Sequence, residues 1–468
     1  MKKIGYFGIL LLASQACGPQ INTADYWKEA ESVLEKIAPP VFPDRSWNML
    51  DFVAEGETTV TNAIARAIDT CHKTGGGTVV VPAGEHYTGA ITLKSNVNLH
   101  LSEGATLKFS TDPEAYTPFV LTRWEGLDCY NFRPLIYAYG ETNIAITGKG
   151  TLDGQADNTH WWPWKGLEEY GWKEGMLSQH YRPDTIGGRK KLARMAADGV
   201  PVEQRWMEPD DCLRPPFIQP YKCTNVLIEG VRIVGSPFWL VHPLLCENVT
   251  VRGLHLESHG PNNDGCDPES CKYVLIEDCY FNTGDDCIAI KSGRDHDGRT
   301  WNIPSENIII RNNTMKDGHG GVVIGSEISG NCRNVWAENC DMDSPNLDRV
   351  VRIKSNAVRG GVIENIYVRN IRVGECKEAV FRVEMKYEKV EDGPYLPEVK
   401  NIFLENIQCR KSRYGIFIDG FTNHTQVRDI FVKNCIFEGV QEEELNRIIG
   451  AEHVVFENVS VNGQSLRN

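Results

Sequence analysis

Asp264, Asp285, Asp286 and His319, followed by Arg352 and Lys354, stand on successive repeats of one pattern at nearly the same phase. If those repeats stack about 4.8 Å apart, three carboxylates, an imidazole and two cations meet in one sugar-sized patch. Crowded carboxylates do not all ionise, so one of the three is expected to keep a proton at working pH. A carboxylic acid beside a carboxylate is the equipment for cutting a glycosidic bond. One group protonates the leaving oxygen, and the other acts as base on water or as nucleophile. Arg352 and Lys354 would seat a substrate carboxylate in an otherwise acidic chain. Taken singly, Asn-Asp-Gly and Gly-Asp-Asp are turn sequences, Gly-His-Gly a bend and Arg-Ile-Lys a solvated strand. Their occurrence together in four consecutive repeats makes a site.

The elements that position these groups are short strands. After each of Asn225, Asn248, Tyr273, Asn307, Asn334, Asn365, Asn401, Asp429 and His453 comes a β-branched residue, from Val226 to Val454. Two positions further stands an apolar residue, and two beyond that Gly, Asn or Asp, from Gly230 to Asn458. Such a unit is a strand with one buried face that ends in a turn tolerating left-handed backbone. The anchors lie between 23 and 36 residues apart, with no helical pattern between them. The expected fold is therefore all-β, a right-handed parallel β-helix whose coils stack and whose insertions leave as loops. Asn96-Val97 and Asn143-Ile144 read as earlier coils.

The domain plan follows from this pattern. Residues 1–16 form a signal peptide, with Lys2 and Lys3 before an apolar stretch too short to span a membrane. Residues 17–47 are a linker or leader segment, and 48–468 the β-helix domain. Val60 to His72 has apolar residues at helical spacing and is expected to cap the open N-terminal end of the solenoid. An insertion at about 155–212 carries five of the 11 Trp. It reads either as a loop packed on the helix or as a cleft wall with aromatic platforms for sugar rings. Many of the 15 Cys fall at one repeat phase, including Cys279, Cys340 and Cys435, and stack rather than pair. They are expected to be buried free thiols. Cys17 follows Ser14-Gln15-Ala16, a loose lipoprotein box, so export leads to the periplasm, the cell surface or the medium, with a lipid anchor at Cys17 as one outcome.

There are 49 Lys plus Arg against 63 Asp plus Glu, a net charge of −14, which disfavours a nucleic-acid binder with a broad basic surface. No cofactor or metal motif emerges. Asp295-His296-Asp297-Gly298 has a faint calcium-loop look but lacks the later ligands, and reads as a turn. No signal of oligomeric state is present.

At the site residues the chain resembles the polygalacturonases of glycoside hydrolase family 28. The family's four motifs appear in order as Asn262-Asn263-Asp264, Gly284-Asp285-Asp286, Gly318-His319-Gly320 and Arg352-Ile353-Lys354. The similarity runs from roughly Asp51 to the C-terminus. It implies an inverting hydrolase of α-1,4-linked galacturonate in pectic polysaccharide, with Asp285 as general acid. Asp264 and Asp286 would activate water, His319 support the acid, and Arg352 with Lys354 grip a sugar carboxylate. Asn262, Lys291 and Arg359 are further candidates for substrate contact, the last two reading equally as surface cations. An inverting enzyme should hold acid and base about 6.5 to 9.5 Å apart. The stretch Gly320 to Glu327 looks like bacterial exo-acting members. Rhamnogalacturonan hydrolysis, a calcium-dependent pectate lyase and a non-catalytic glycan-binding β-helix are the rival readings.

Overall fold

The β-branched position of each repeat stacks on the one before it. Parallel pairing runs from Val226 to Val249, Val274, Ile308, Val335, Ile366, Ile402, Ile430 and Val454 without a break in register. Toward the N-terminus the same ladder continues through Ile144 to Val97. The computed structural model thus shows a parallel β-helix, and it describes residues 24–442, 444 and 446–466. The stretch read as a signal peptide, and Cys17, lie outside those residues.

The anchors themselves hold the left-handed conformation, which the repeat pattern left unread. Asn225, Asn248, Asn307, Asn334 and Asn365 have φ between 57° and 59°, and the fifth-position asparagines adopt it as well. Asn tolerates this region better than other residues with a Cβ, because its short amide can bond locally. Here the amides bond between coils instead: Asn248 donates to Asn225, Asn365 to Asn334, and Asn401 to Asn365. Inside the coils the apolar positions are sealed, Ile276, Ile308, Ile310 and Val335 having no exposed surface. Full burial of such a side chain stabilises by about 1.5–3 kcal/mol. All fourteen described cysteines are free and buried.

Helix α1 (Ala24–Leu34) lies along the outside of the solenoid, where Tyr26 stacks on Tyr367 at 4.7 Å. Helix α2 (Thr61–Lys73) covers the N-terminal end with Ala63, Ile64, Ala67, Ile68 and Cys71. The insertion contains α3 (Gly188–Ala197) and a two-stranded hairpin. One reading is corrected: residues from Asp295 are not a turn but helix α4 (Asp295–Trp301), because Arg205 of the insertion pairs with Asp297 and holds the segment against it.

The face that matters here is a six-stranded parallel sheet. It contains Ile288–Ile290, Val322–Gly325, Arg349–Lys354 and Ala379–Glu384 on successive coils.

Candidate active site

Cys266 bridges to Ile288, Ile288 pairs with Val322, and Val322 with Val351. Asp264 and Asp286 each stand two residues before this ladder and so share one level. Asp285 and His319 stand three before it and share the next. Arg352 and Lys354 instead lie past the ladder, opposite Val323 and Gly325. The single phase expected from spacing therefore holds for the acids and His319 alone; the two cations reach back along their strand with long side chains.

Two motif glycines permit this closeness. A Cβ on Gly284 would stand 2.6 Å from the Gly260 carbonyl oxygen. Gly318 has φ +156°, and a Cβ there would stand 2.8 Å from the Asp285 carbonyl oxygen. The resulting bend presses His319 Nδ1 to 2.8 Å from Asp285 Oδ1.

Asp264, Asp285 and Asp286 bring carboxylate oxygens within 4.8 Å of one another. That is tighter than the 6.5–9.5 Å expected, because adjacent coils and adjacent residues supply the three groups. Lys354 Nζ donates to Asp286 Oδ2 at 2.6 Å, while Arg352 pairs with Glu384 at 2.8 Å. Lys291 is buried, not a surface cation, and lies 3.2 Å from Glu327, 3.6 Å from Asp267 and 3.8 Å from Asp264. Arg359 is also buried, but it turns to Asp295 at 2.6 Å and does not line the cleft. Asp264 Oδ1 and Asp286 Oδ1 have no hydrogen-bond partner among the described residues. Buried acceptors in that state call for a donor such as water or a sugar hydroxyl. The three carboxylates are also an arrangement a divalent cation could take, but Lys354 and Lys291 already set ammonium charge among them.

Burial works to raise Asp285, yet the His319 imidazolium beside it prevails and holds the carboxyl well below the usual range. Asp285 in turn lifts His319 to about 9. Asp264 is pushed up, first by burial and then by its neighbours Asp267 and Asp285. The proton of the Asp285–His319 pair is thus drawn to His319, and of the three carboxyls, one of which is expected to keep a proton, Asp264 is the one driven toward its neutral form.

The cleft above these groups has a volume of about 310 Å³. Its walls include groups that the four motifs did not announce: Glu125, Lys165, His180, Arg189, Glu327, Tyr387 and Glu388. Asp267 sits below, fully buried. The insertion contributes Lys165, His180 and Arg189 rather than its tryptophans. Trp161 is buried, Trp162 donates to the Ser236 carbonyl, and Trp206 stacks on Tyr130 away from the cleft lining. Arg189 ties the insertion to two other loops, bonding Glu125 at 2.7 Å and Glu388 at 3.1 Å.

Comparison with known proteins bears on this arrangement. Residues 207–426 match the family model described as glycosyl hydrolases family 28. A probable polygalacturonase from Vitis vinifera is 30% identical over 399 residues, covering 81% of this chain and 72% of that one. An exo-poly-alpha-D-galacturonosidase from Dickeya chrysanthemi is 28% identical over 362 residues, covering 73% of this chain and 57% of its own. Among solved structures, a hyperthermoactive exopolygalacturonase from Thermotoga maritima superposes with a TM-score of 0.89 at 45% identity, covering 94% of this chain and 97% of that one.

Proposed function

Since the chain belongs to glycosyl hydrolases family 28, we propose that it is a polygalacturonase that hydrolyses α-1,4-galacturonosidic bonds of pectin from the chain end and releases galacturonate. The observation that carries the exo reading is the tie that Arg189 makes from the insertion to Glu125 and Glu388, which would close one end of the cleft. A cleft shut at one end admits only a chain terminus. The similarity to exo-acting relatives supports it. Synthesis with a signal peptide and action on polysaccharide outside the cytoplasm fit this substrate.

In this mechanism Asp286 is the general base, compensated by Lys354, and its unpartnered Oδ1 together with that of Asp264 orients the attacking water. Asp285 is the general acid. Bound sugar displaces water and brings negative charge, which raises Asp285 and moves the proton of the His319–Asp285 pair onto the carboxyl. Asp285 then protonates the leaving oxygen as the water attacks, with inversion. Arg352 and Lys354 face the carboxylate of the neighbouring sugar, and Lys291 and Asn262 flank the acids; Arg359 supports the wall from behind.

Digestion of polygalacturonate in EDTA, resolved by size, tests the reading. Saturated monogalacturonate from the earliest times is expected. An early ladder of oligomers would replace exo by endo action, and absence of any product would overturn the assignment.

A further inference from the structure

Most cations that face the cleft are already neutralised. Lys354 lies on Asp286, Arg352 on Glu384, Lys291 on Glu327, and Arg189 on Glu125 and Glu388. Lys165 and Arg214 differ: among the described residues neither has a carboxylate oxygen within ion-pair distance. Both share one neutral acceptor, Asn262 Oδ1, reached from Nζ at 2.8 Å and Nη2 at 2.9 Å, and among the described residues Arg214 donates further only to other neutral oxygens, the Pro237 and Pro261 carbonyls and Gln179 Oε1. Arg214 has no exposed surface and its Nε has no partner. Burial and the nearby Arg214 make Lys165 a weaker holder of its proton. Two buried like charges on one oxygen are unfavourable unless an anion joins them.

Their position gives the anion an identity. Asn262 belongs to the coil of Asp264, whereas Lys354 lies three coils further along, so Asp285 and Asp286 stand on a coil between the two cationic groups. Lys165 lines the cleft and comes from the same insertion as Arg189. We infer that Lys165 and Asn262, which line the cleft and are backed by the buried charge of Arg214, form a second carboxylate seat, which holds the carboxylate of the chain-terminal galacturonate. This inference rests on the proposed function. It makes the enzyme a reader of two adjacent uronates, one on each side of the cleaved bond, and makes a methyl-esterified terminal residue a poor substrate.

The test is kinetic, on digalacturonate and on the same dimer methyl-esterified at its terminal carboxyl. The wild type is expected to prefer the free acid. Lys165→Met should raise KM for the free acid about 10- to 100-fold, with a smaller change in kcat, and should erase the preference between acid and ester. Lys165→Arg should restore much of both. Retention of the preference by Lys165→Met, or an unchanged KM, overturns the seat. Should Lys165→Met not fold, Lys165→Gln in the same comparison decides by the same criteria. Failure of the underlying reading looks different, since the wild type would then release no galacturonate from either dimer.

Discussion

Replacing Asp285 by Asn removes the proposed acid while keeping its shape, and the structure sets two magnitudes. A lost general acid costs about 10²- to 10⁴-fold in kcat. The second magnitude is the charge that Asp285 gives His319. The imidazole is lifted from 6.5 to about 9, which corresponds to about 3 kcal/mol of attraction. Half of the His319 side chain, 52%, is open to solvent, and screening reduces this to about 1–2 kcal/mol. Because the folded-state value is raised, this stabilisation is complete below pH 6.5 and disappears as pH rises through about 9. The stability difference between wild type and Asp285→Asn should therefore shrink across that window, and His319 should titrate near its ordinary value in the variant. NMR of labelled histidine, with His319→Gln for assignment, reads the titration; kcat on trigalacturonate and on galacturonosyl fluoride reads the chemistry. Fluoride leaves without a proton, so the variant should lose far less on that substrate. A loss under tenfold on trigalacturonate, or a His319 that titrates identically in both proteins, would refute the reasoning.

Inversion predicts β-galacturonate as the first product anomer by proton NMR; the α-anomer would make one of the tightly spaced carboxylates a nucleophile instead. Arg189→Ala unties the insertion from Glu125 and Glu388, and short oligomers are expected to join monogalacturonate among the early products; an unchanged monomer-only pattern would count against closure by that tie. EDTA should leave the rate intact with no unsaturated product detectable by ultraviolet absorbance, and loss of activity restored by Ca²⁺ would favour the lyase reading. Ile310→Ala, in a sealed coil, should cost about 2–5 kcal/mol in urea unfolding; a cost below about 1 kcal/mol would mean that the coil repacks.

The coils were legible because their signal is local. A β-branched residue after an Asn, and a Gly or Asn four residues beyond it, are demands that one strand and its turn place on their own residues. The acids and His319 were legible for the same reason, since each sits two or three residues before its coil's ladder position. Helix α4 was not, because what holds it is Arg205, far away in sequence. Lys165, His180, Arg189 and Glu388 were missed on similar grounds: they reach the cleft by tertiary placement of loops and obey no repeat. The partner of each cation was equally hidden. Arg352 lines the cleft, and its tie to Glu384, from the next strand of the same sheet, could not be read from spacing. Asp267 left a faint trace, an acid one residue after the apolar Cys266 in a segment otherwise bound for the core.

The unpaired thiols turn folding into a matter of timing. Fourteen cysteines end up sealed, and Cys246 and Cys271 stand at one phase on neighbouring coils, with the Cys246 N–H 3.4 Å from the Cys271 sulfur. A chain exported into an oxidising compartment would expose all of them before the coils close. Each coil that stacks withdraws its thiols from oxidants, so the order of stacking is also an order of protection. Survival of the reduced solenoid then depends on burial outrunning oxidation. A slow folder would be trapped with wrong disulfides, and a fast one would need no oxidase or isomerase at all.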